Sequence, residues 1–300
     1  MADRRLQVFM AVAKHRNFTR AAEDLFMSQP SATFQVKQLE ELYNTRLFER
    51  RHGNVSLTPA GELVHSYAEK IMALSDEMES RLAEMSGELR GPLLIGASST
   101  IAECLMPQVM SDFGALYPQV RACLIVANSD SVERRVAEHT LDLGLIEAPP
   151  KLAGVSSDIC GGDELVVIFA PDYPLTASAS IAPKNLVEYE YISREPGSGT
   201  REVTETYFRN HQIEPEALKT QMELGSPEAL KAVVKLGLGF AIVSRLVVEQ
   251  ELEAAALQII PLKPALKRSF NLIYPQDRFR SRLASTFIDF AKNKLRELVA

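Results

Sequence analysis

From Asn17 to Pro59 the chain reads NFTRAAEDLFMSQPSATFQVKQLEELYNTRLFERRHGNVSLTP, two helical signals followed by a turn between two strands. Thr19 is a hydroxyl residue suited to cap a helix from Arg20 to Leu25, and Ala21 and Ala22 let that helix pack closely on another. Phe26 and Met27 supply the turn. Ser28 caps the next helix, with Pro30 in its first turn, where a missing N–H costs nothing. Ala32, Val36, Leu39 and Leu42 or Tyr43 recur at steps of three and four and form the buried stripe. Ser31, Thr33, Phe34, Gln35, Lys37 and Gln38 lie outside it, and this face carries no carboxylate until Glu40. Hydroxyls and amides to read base edges, cations to meet phosphate and no nearby acid are what a helix entering a DNA groove requires.

Leu47-Phe48, then Glu49 to Asn54, then Val55-Ser56-Leu57 read as strand, turn and strand, with Gly53-Asn54 at the bend. Arg50, Arg51 and His52 fall near its tip, within reach of phosphate or a minor groove. An amphipathic helix pair or a basic hairpin alone is common in soluble proteins; the ordered combination is not. The expected DNA-contacting set is Ser28, Gln29, Pro30, Ser31, Thr33, Phe34, Gln35, Lys37, Arg50 and Arg51.

Residues 4 to 59 resemble the DNA-binding domain of the LysR-type transcriptional regulators. The likeness rests on Phe9, Ala13, Phe18-Thr19-Arg20-Ala21-Ala22, Ser28-Gln29-Pro30-Ser31, Gln35, Leu39-Glu40, Leu47-Phe48-Glu49-Arg50 and Leu57-Thr58-Pro59-Ala60-Gly61. It implies a protein that binds partially palindromic double-stranded promoter DNA as a homodimer or homotetramer and acts with RNA polymerase. Phe34 departs from the commonest pattern, which has a polar or basic residue there. It can meet a thymine methyl or pack on the wing, and packing is favoured.

Composition agrees. The chain has 300 residues, enough for two cores, and 46% hydrophobic with 24% charged residues is ordinary for a soluble protein. The net charge of -6 divides unevenly, with +3 over residues 1 to 60 and -9 over the rest, so only the first part should attract a duplex. Cys104, Cys123 and Cys160 lack disulfide or zinc spacing, and neither a secretory signal nor a membrane span is visible, so a cytoplasmic setting is expected.

Thr58-Pro59 opens a long helix. Leu63, Tyr67, Ile71, Leu74, Met78, Leu82, Met85 and Leu89 follow at near-heptad steps, and Gly91-Pro92 closes the pattern. Only one stripe is apolar. A single helix between two domains would leave it wet, so pairing with a second copy is expected. After Pro92 strands and helices alternate: strands at Leu93 to Ile95, Arg121 to Val126 and Leu141 to Ile146, helices at Ile101 to Tyr117 and Ser131 to His139. A second set follows, with strands at Glu164 to Ala170, Tyr191-Ile192, Gln221 to Leu224 and Phe240 to Val243 and helices at Thr200 to His211 and Pro227 to Leu236. Phe270 to Tyr274 and a helix from Arg282 to Leu298 return to the first set. The expectation is α/β with a largely parallel sheet. It resembles the LysR effector domain, two-lobed like periplasmic binding proteins, with crossovers near Gly161 to Asp163 and Pro264 to Lys267. The expected domains are residues 1–58 (winged helix-turn-helix), 59–90 (dimerisation helix) and 91–300, with lobe I at 91–162 and 267–300 and lobe II at 163–266.

Four hydroxyl-rich loops follow strands and open helices: Ser98-Ser99-Thr100, Asn128-Ser129-Asp130-Ser131, Gly197-Ser198-Gly199-Thr200-Arg201 and Gly225-Ser226-Pro227. Each is an ordinary cap by itself; four at strand C-termini on two lobes point to a cleft that takes a small anion. The expected effector set is Ser98, Ser99, Thr100, Ser129, Ser198, Gly199, Thr200, Arg201 and Ser226, although Arg201 could instead pair with Glu202 or Glu205. Arg194 to Arg201 also looks like the LysR branch controlling carbon-fixation and sulfur-assimilation operons.

Lys235 to Phe240 holds a GxG without a third glycine, and Ser198-Gly199-Thr200 lacks the lysine of a P-loop, so neither marks a nucleotide site. Five scattered histidines give no metal or triad spacing. Cys104 reads as a small buried residue before a redox thiol. The resulting expectation is a regulator with no cofactor, no catalytic residues and no metal, responding to a small anionic effector. An α/β enzyme carrying an autoregulatory DNA-binding module is the alternative; it would need a positioned nucleophile, base or metal.

Overall fold

A computed structural model describes residues 3–51, 54–85, 89–175, 179–276 and 280–299. The chain divides into two compact units, residues 1–88 and 89–300. Of the expected turn, His52 and Gly53 lie outside the described residues, as do the side chains of Arg50, Arg51, Leu82 and Met85.

The first unit contains α1 (Arg4–His15), α2 (Phe18–Asp24), α3 (Gln29–Tyr43), β1 (Phe48–Arg51), β2 (Asn54–Leu57) and α4 (Pro59–Met85). The cap of α2 is Asn17, not Thr19: its side-chain oxygen accepts from the N–H groups of Thr19 and Arg20, so the helix begins a residue pair earlier than expected. Ser28 caps α3 by accepting from Ser31 N–H, with Pro30 in the first turn. Ala21, Ala22, Ala32, Val36 and Leu39 are buried with Val8, Phe9 and Val12 of α1, and the Phe9 and Phe18 rings pack on Phe48 at 5.1 and 5.7 Å. Leu42 and Tyr43 are exposed, because the chain turns away at Asn44, and so they are not part of the stripe. Phe34 does not pack on the wing either; it is 57% exposed.

Two contacts hold the hairpin to the helices. Glu40 Oε1 accepts from Leu47 N–H at 2.7 Å and Phe48 N–H at 3.2 Å, so the carboxylate that ends the acid-free face is a clamp on the wing. Thr58 donates its hydroxyl to Arg46 O at 2.7 Å and accepts from Gly61 N–H, capping α4 while fixing the strand before it. A Cβ on Gly61 would lie 2.1 Å from Leu47 O, so only glycine permits this approach.

The second unit runs β3 (Gly91–Ala97), α5 (Ser99–Cys104), α6 (Met106–Leu116), β4 (Val120–Val126), α7 (Ser129–Ala137), β5 (Leu143–Ile146), β6 (Val155–Phe169), β7 (Glu190–Arg194), α8 (Gly199–Asn210), β8 (Lys219–Leu224), α9 (Pro227–Lys235), β9 (Ala241–Ser244), α10 (Glu249–Glu253), β10 (Gln258–Pro275) and α11 (Arg282–Leu298). Leu89 packs on this unit's core and is not part of the α4 seam. The single helix expected from Ile101 to Tyr117 is two, because Pro107 has no N–H to continue the ladder and the chain breaks at Leu105.

The main sheet has the order β4-β3-β5-β10-β6-β9 and is mixed, not largely parallel. Only β3 with β4 and with β5 pair in parallel; β10 is antiparallel to β5 and β6, and β9 is antiparallel to β6. The long strands β6 and β10 run through both expected crossovers and stay paired from Val155 with Pro275 to Phe169 with Gln258, so they tie the two lobes together. One core gathers Leu93, Ile95, Phe113, Leu143, Phe270 and Phe287 around α11; others lie around Val167, Phe208 and Phe240 and around Ile168, Ile192 and Leu230. The unit is two-lobed, and α11 returns to the first lobe. Among the described residues no helix is long and apolar enough to cross a membrane.

Candidate functional site

In the first unit, α3 presents its polar face to solvent. Ser28, Gln29, Pro30, Ser31 and Lys37 are exposed, and Thr33 and Gln35 half-buried. Gln29 donates to Thr33 Oγ1 at 2.9 Å, and the Ser28 and Ser31 hydroxyls lie 2.8 Å apart. These bonds fix side chains along the first turns without removing their capacity toward a base edge. Lys37 pairs loosely with Glu41 at 3.6 Å. Phe26 adds a feature that turn composition did not reveal: with φ of 52° it holds its ring 98% exposed just before the α3 N-terminus.

In the second unit, the structure gathers part of the expected effector set around charges that sequence reading missed. The Arg268 guanidinium, on β10, is 1% exposed and lies against two carboxylates. Nε and Nη2 donate to the Asp163 carboxylate at 2.6 and 2.8 Å, a bidentate pair, and Nη1 donates to Glu147 Oε2 at 2.6 Å. Nη1 also reaches Thr200 Oγ1 at 2.8 Å and Nη2 reaches Thr100 Oγ1 at 3.4 Å. Glu147 in turn accepts from Thr100 N–H at 3.1 Å and from the Thr200 hydroxyl at 3.0 Å. Thr100 begins the helix after β3 and Thr200 the helix after β7, so residues from both lobes converge on one ion pair. Burial opposes the Glu147 charge, but Arg268 and the Thr100 and Thr200 bonds outweigh it and hold the carboxyl below the usual range. Burial also works against the Arg268 charge, which its two carboxylates restore.

Further contacts close the lobes. Asn128 Nδ2 donates to Pro196 O, Asp130 N–H donates to Gly197 O, and Lys151 pairs with Asp130 at 2.9 Å and Glu202 at 2.6 Å. A Cβ on Gly199 would lie 2.6 Å from Ser129 Oγ and 3.0 Å from Glu147 Cβ, so this glycine admits the close approach. Ser129 Oγ accepts from Glu147 N–H at 3.5 Å. Ser98, 2% exposed, has its hydroxyl sequestered beside the Glu147 carboxylate without a formed hydrogen bond.

The rest of the expected set behaves otherwise. Ser198 and Ser226 are plain caps, accepting from Arg201 and Ala229 N–H groups. Ser226 is not brought to the cluster. Arg201 is engaged elsewhere, with Glu205 at 2.7 Å, Glu223 at 2.5 Å and Arg194 O at 3.1 Å; of the two partners expected for it, Glu205 is the one it pairs with, while Glu202 pairs with Lys151. Ser99 is half-exposed at the mouth of α5. Glu147 was detectable in principle, as a lone carboxylate directly after the wholly buried β5, at the strand end where such folds gather ligand groups. Cys104 donates to Leu246 O, and burial pushes its thiol up to about 11, the behaviour of a packing residue.

Two family models divide the chain between them. Residues 4–62 match the bacterial regulatory helix-turn-helix protein of the lysR family, and residues 86–296 match the LysR substrate binding domain. The chain belongs to the LysR family. It is a LysR-type DNA-binding transcriptional regulator with an effector-binding domain. Among its relatives, the RuBisCO operon transcriptional regulator of Allochromatium vinosum is 35% identical over 288 residues, covering 96% of this chain and 94% of the relative. That of Acidithiobacillus ferrooxidans is 32% identical, covering 95% and 91%. Solved structures include the LysR regulator CbnR, with a TM-score of 0.71 at 20% identity over 99% of this chain and all of that one, which shares the fold. The regulatory domain of Synechocystis CcmR in complex with 2-PG has a TM-score of 0.62 at 26% identity over 68% of this chain and 97% of that one.

The α3 face offers exposed hydroxyls, amides and a lysine to solvent, and the buried Arg268 cluster joins two carboxylates and threonines from both lobes.

Proposed function

We propose that this LysR regulator controls a carbon-fixation operon, binding its promoter as a homodimer or dimer of dimers and responding to a small anion, of the 2-phosphoglycolate kind, in the interlobe cleft. The observation that carries the effector reading is the convergence of Thr100 and Thr200, one from each lobe, on the buried Arg268 guanidinium, with the Ser98 hydroxyl beside Glu147; together these groups hold the donors an anion needs. The operon reading rests on relatives more than 30% identical along nearly their whole length, and the anion class on the ligand of the CcmR domain. A regulatory role without catalysis accords with these relatives. We assign residues 1–58 to DNA, 59–90 to dimerisation and the remainder to the effector, with lobe II spanning 163–266. Isothermal calorimetry with 2-phosphoglycolate tests the pocket. Thr100→Val should weaken binding by ~1 to 2 kcal/mol, about tenfold, while leaving ligand-free DNA affinity intact. Equal affinity in both proteins would remove Thr100 from the pocket.

On DNA, Gln35, Thr33 and Gln29 read bases, with Arg50 and Arg51 on the backbone. Gln35→Ala should cost ~1 to 3 kcal/mol of discrimination at one base pair in each half-site. Competition binding against single-base operator variants measures this; an equal loss on random DNA would contradict base reading.

Dimerisation follows from α4. Leu63, Tyr67, Ile71, Leu74 and Met78 are all exposed, Leu74 by 64%, along one stripe. The stripe runs into an apolar recess of about 340 Å³ lined by Leu6, Tyr43, Val64 and Ala68 among others, which a second copy of the helix can fill.

A further inference from the structure

We propose that Glu147 is a built-in occupant of the cleft's anion seat: its carboxylate holds the place on Arg268, Thr100 and Thr200 that an anionic ligand takes, so binding requires Glu147 to release Arg268 and take up a proton from solvent. The inference rests on the anionic-effector reading above and specifies what the ligand must displace.

The geometry is that of a bound carboxylate. Glu147 uses both oxygens, one on Thr100 N–H and one shared by the Thr200 hydroxyl and Arg268 Nη1, and its side chain is 3% exposed. With Asp163 already bidentate on the remaining edge of Arg268, the guanidinium has no free fork for a third anion. The formal charge of the three groups is -1, so an incoming anion meets net repulsion in a medium where charges interact strongly. The charges around Glu147 are Arg268 from β10, Asp163 from β6 on the other edge of that guanidinium, and Glu103 from α5, which itself feels Glu228, Lys231 and Arg194. Once an anion takes Arg268, a Glu147 still buried has lost its countercharge and faces a second negative group. Both changes favour the protonated form. A protonated Glu147 can then donate its O–H to the ligand, turning a rival into a partner.

Such a seat also has a regulatory consequence. The lobes are held together by Glu147 with Thr200, by Asn128 with Pro196 and by Lys151 with Glu202. A ligand that replaces the first of these changes how the lobes are joined, and a difference in affinity between two such arrangements is what an allosteric response needs.

The test is calorimetric titration of the full-length protein with sodium sulfate, whose charge does not change near neutrality, in two buffers of different ionisation heat between about pH 6 and about pH 8. Wild type should take up close to one proton per sulfate bound and lose affinity as pH rises, by up to about tenfold per pH unit. Glu147→Gln should bind sulfate at least about tenfold tighter at the upper pH, with no proton uptake and a flat pH profile. Sulfate binding by wild type without proton uptake overturns the proposal, and this readout stands even if the variant does not fold. So does a folded variant that binds no tighter, or binding that Thr200→Val leaves unchanged. Failure of the anionic-effector reading looks different: neither sulfate nor 2-phosphoglycolate then binds either protein.

Discussion

Arg268→Met is expected to destabilise the effector domain by ~3 to 5 kcal/mol, because it strands Glu147 and Asp163, each 3% exposed at the side chain, without their common countercharge. For a domain of this size that is a loss of roughly 10 °C in melting temperature. Differential scanning calorimetry of the full-length variant measures it directly, and a melting temperature within a degree or so of wild type would mean that the ion pair is not an organising element. A change of Lys151, about half exposed and paired with Asp130 and Glu202, should cost far less, ~0 to 1 kcal/mol, since solvent screens that pair. The same cluster sets an acid limit. Glu147 is held below its ordinary pKa, so its contribution is complete above the unfolded value, near ~4.3, and is lost as pH falls through the folded value.

Met78→Glu is expected to yield monomers and abolish operator binding. Met78 is exposed on the same stripe of α4 as Leu74, and in a dimer seam a glutamate there would be an unpaired ion between apolar helices, a cost of several kcal/mol on each side of the interface. Because each half of a palindromic operator is read by one copy, loss of the dimer removes the second set of base and phosphate contacts together. Analytical ultracentrifugation with operator titration decides the matter. A variant that sediments as wild type and keeps its DNA affinity would place the dimer contact elsewhere.

The DNA-binding unit was legible in the sequence because its signals are local. Ser28, Pro30 and Thr58 act on residues two or three positions away, and the period of Ala32, Val36 and Leu39 marks a single face. Thr19 misled because Asn17, two residues earlier, is the stronger acceptor in an extended backbone. Glu40 was visible as the end of the acid-free face, but its grip on Leu47 and Phe48 belongs to the tertiary fold.

In the effector domain, helix caps and apolar strands located most elements, and Thr100, Thr200, Ser98 and Ser129 do converge. What could not be read was long-range pairing. The first half of β6, Ser156 to Asp163, is polar and glycine-containing and becomes strand only because β10 supplies its partner. Arg268 meets Asp163 across 105 positions and Glu147 across 121, and no periodicity connects residues so far apart. Arg201 illustrates the converse: its place at the mouth of α8 suggested a ligand, while Glu205 and Glu223, one turn away and on the next strand, already hold it.

The central claim is that an anion in the cleft changes how this regulator holds its promoter. DNase footprinting of the full-length protein on the DNA upstream of the operon it controls, with and without 2-phosphoglycolate at saturating concentration, tests it most directly. The account predicts that the ligand alters the protected boundaries or the bend-induced hypersensitive positions while the base-reading half-sites stay covered. A footprint unchanged by a ligand that calorimetry has seen to bind would contradict it.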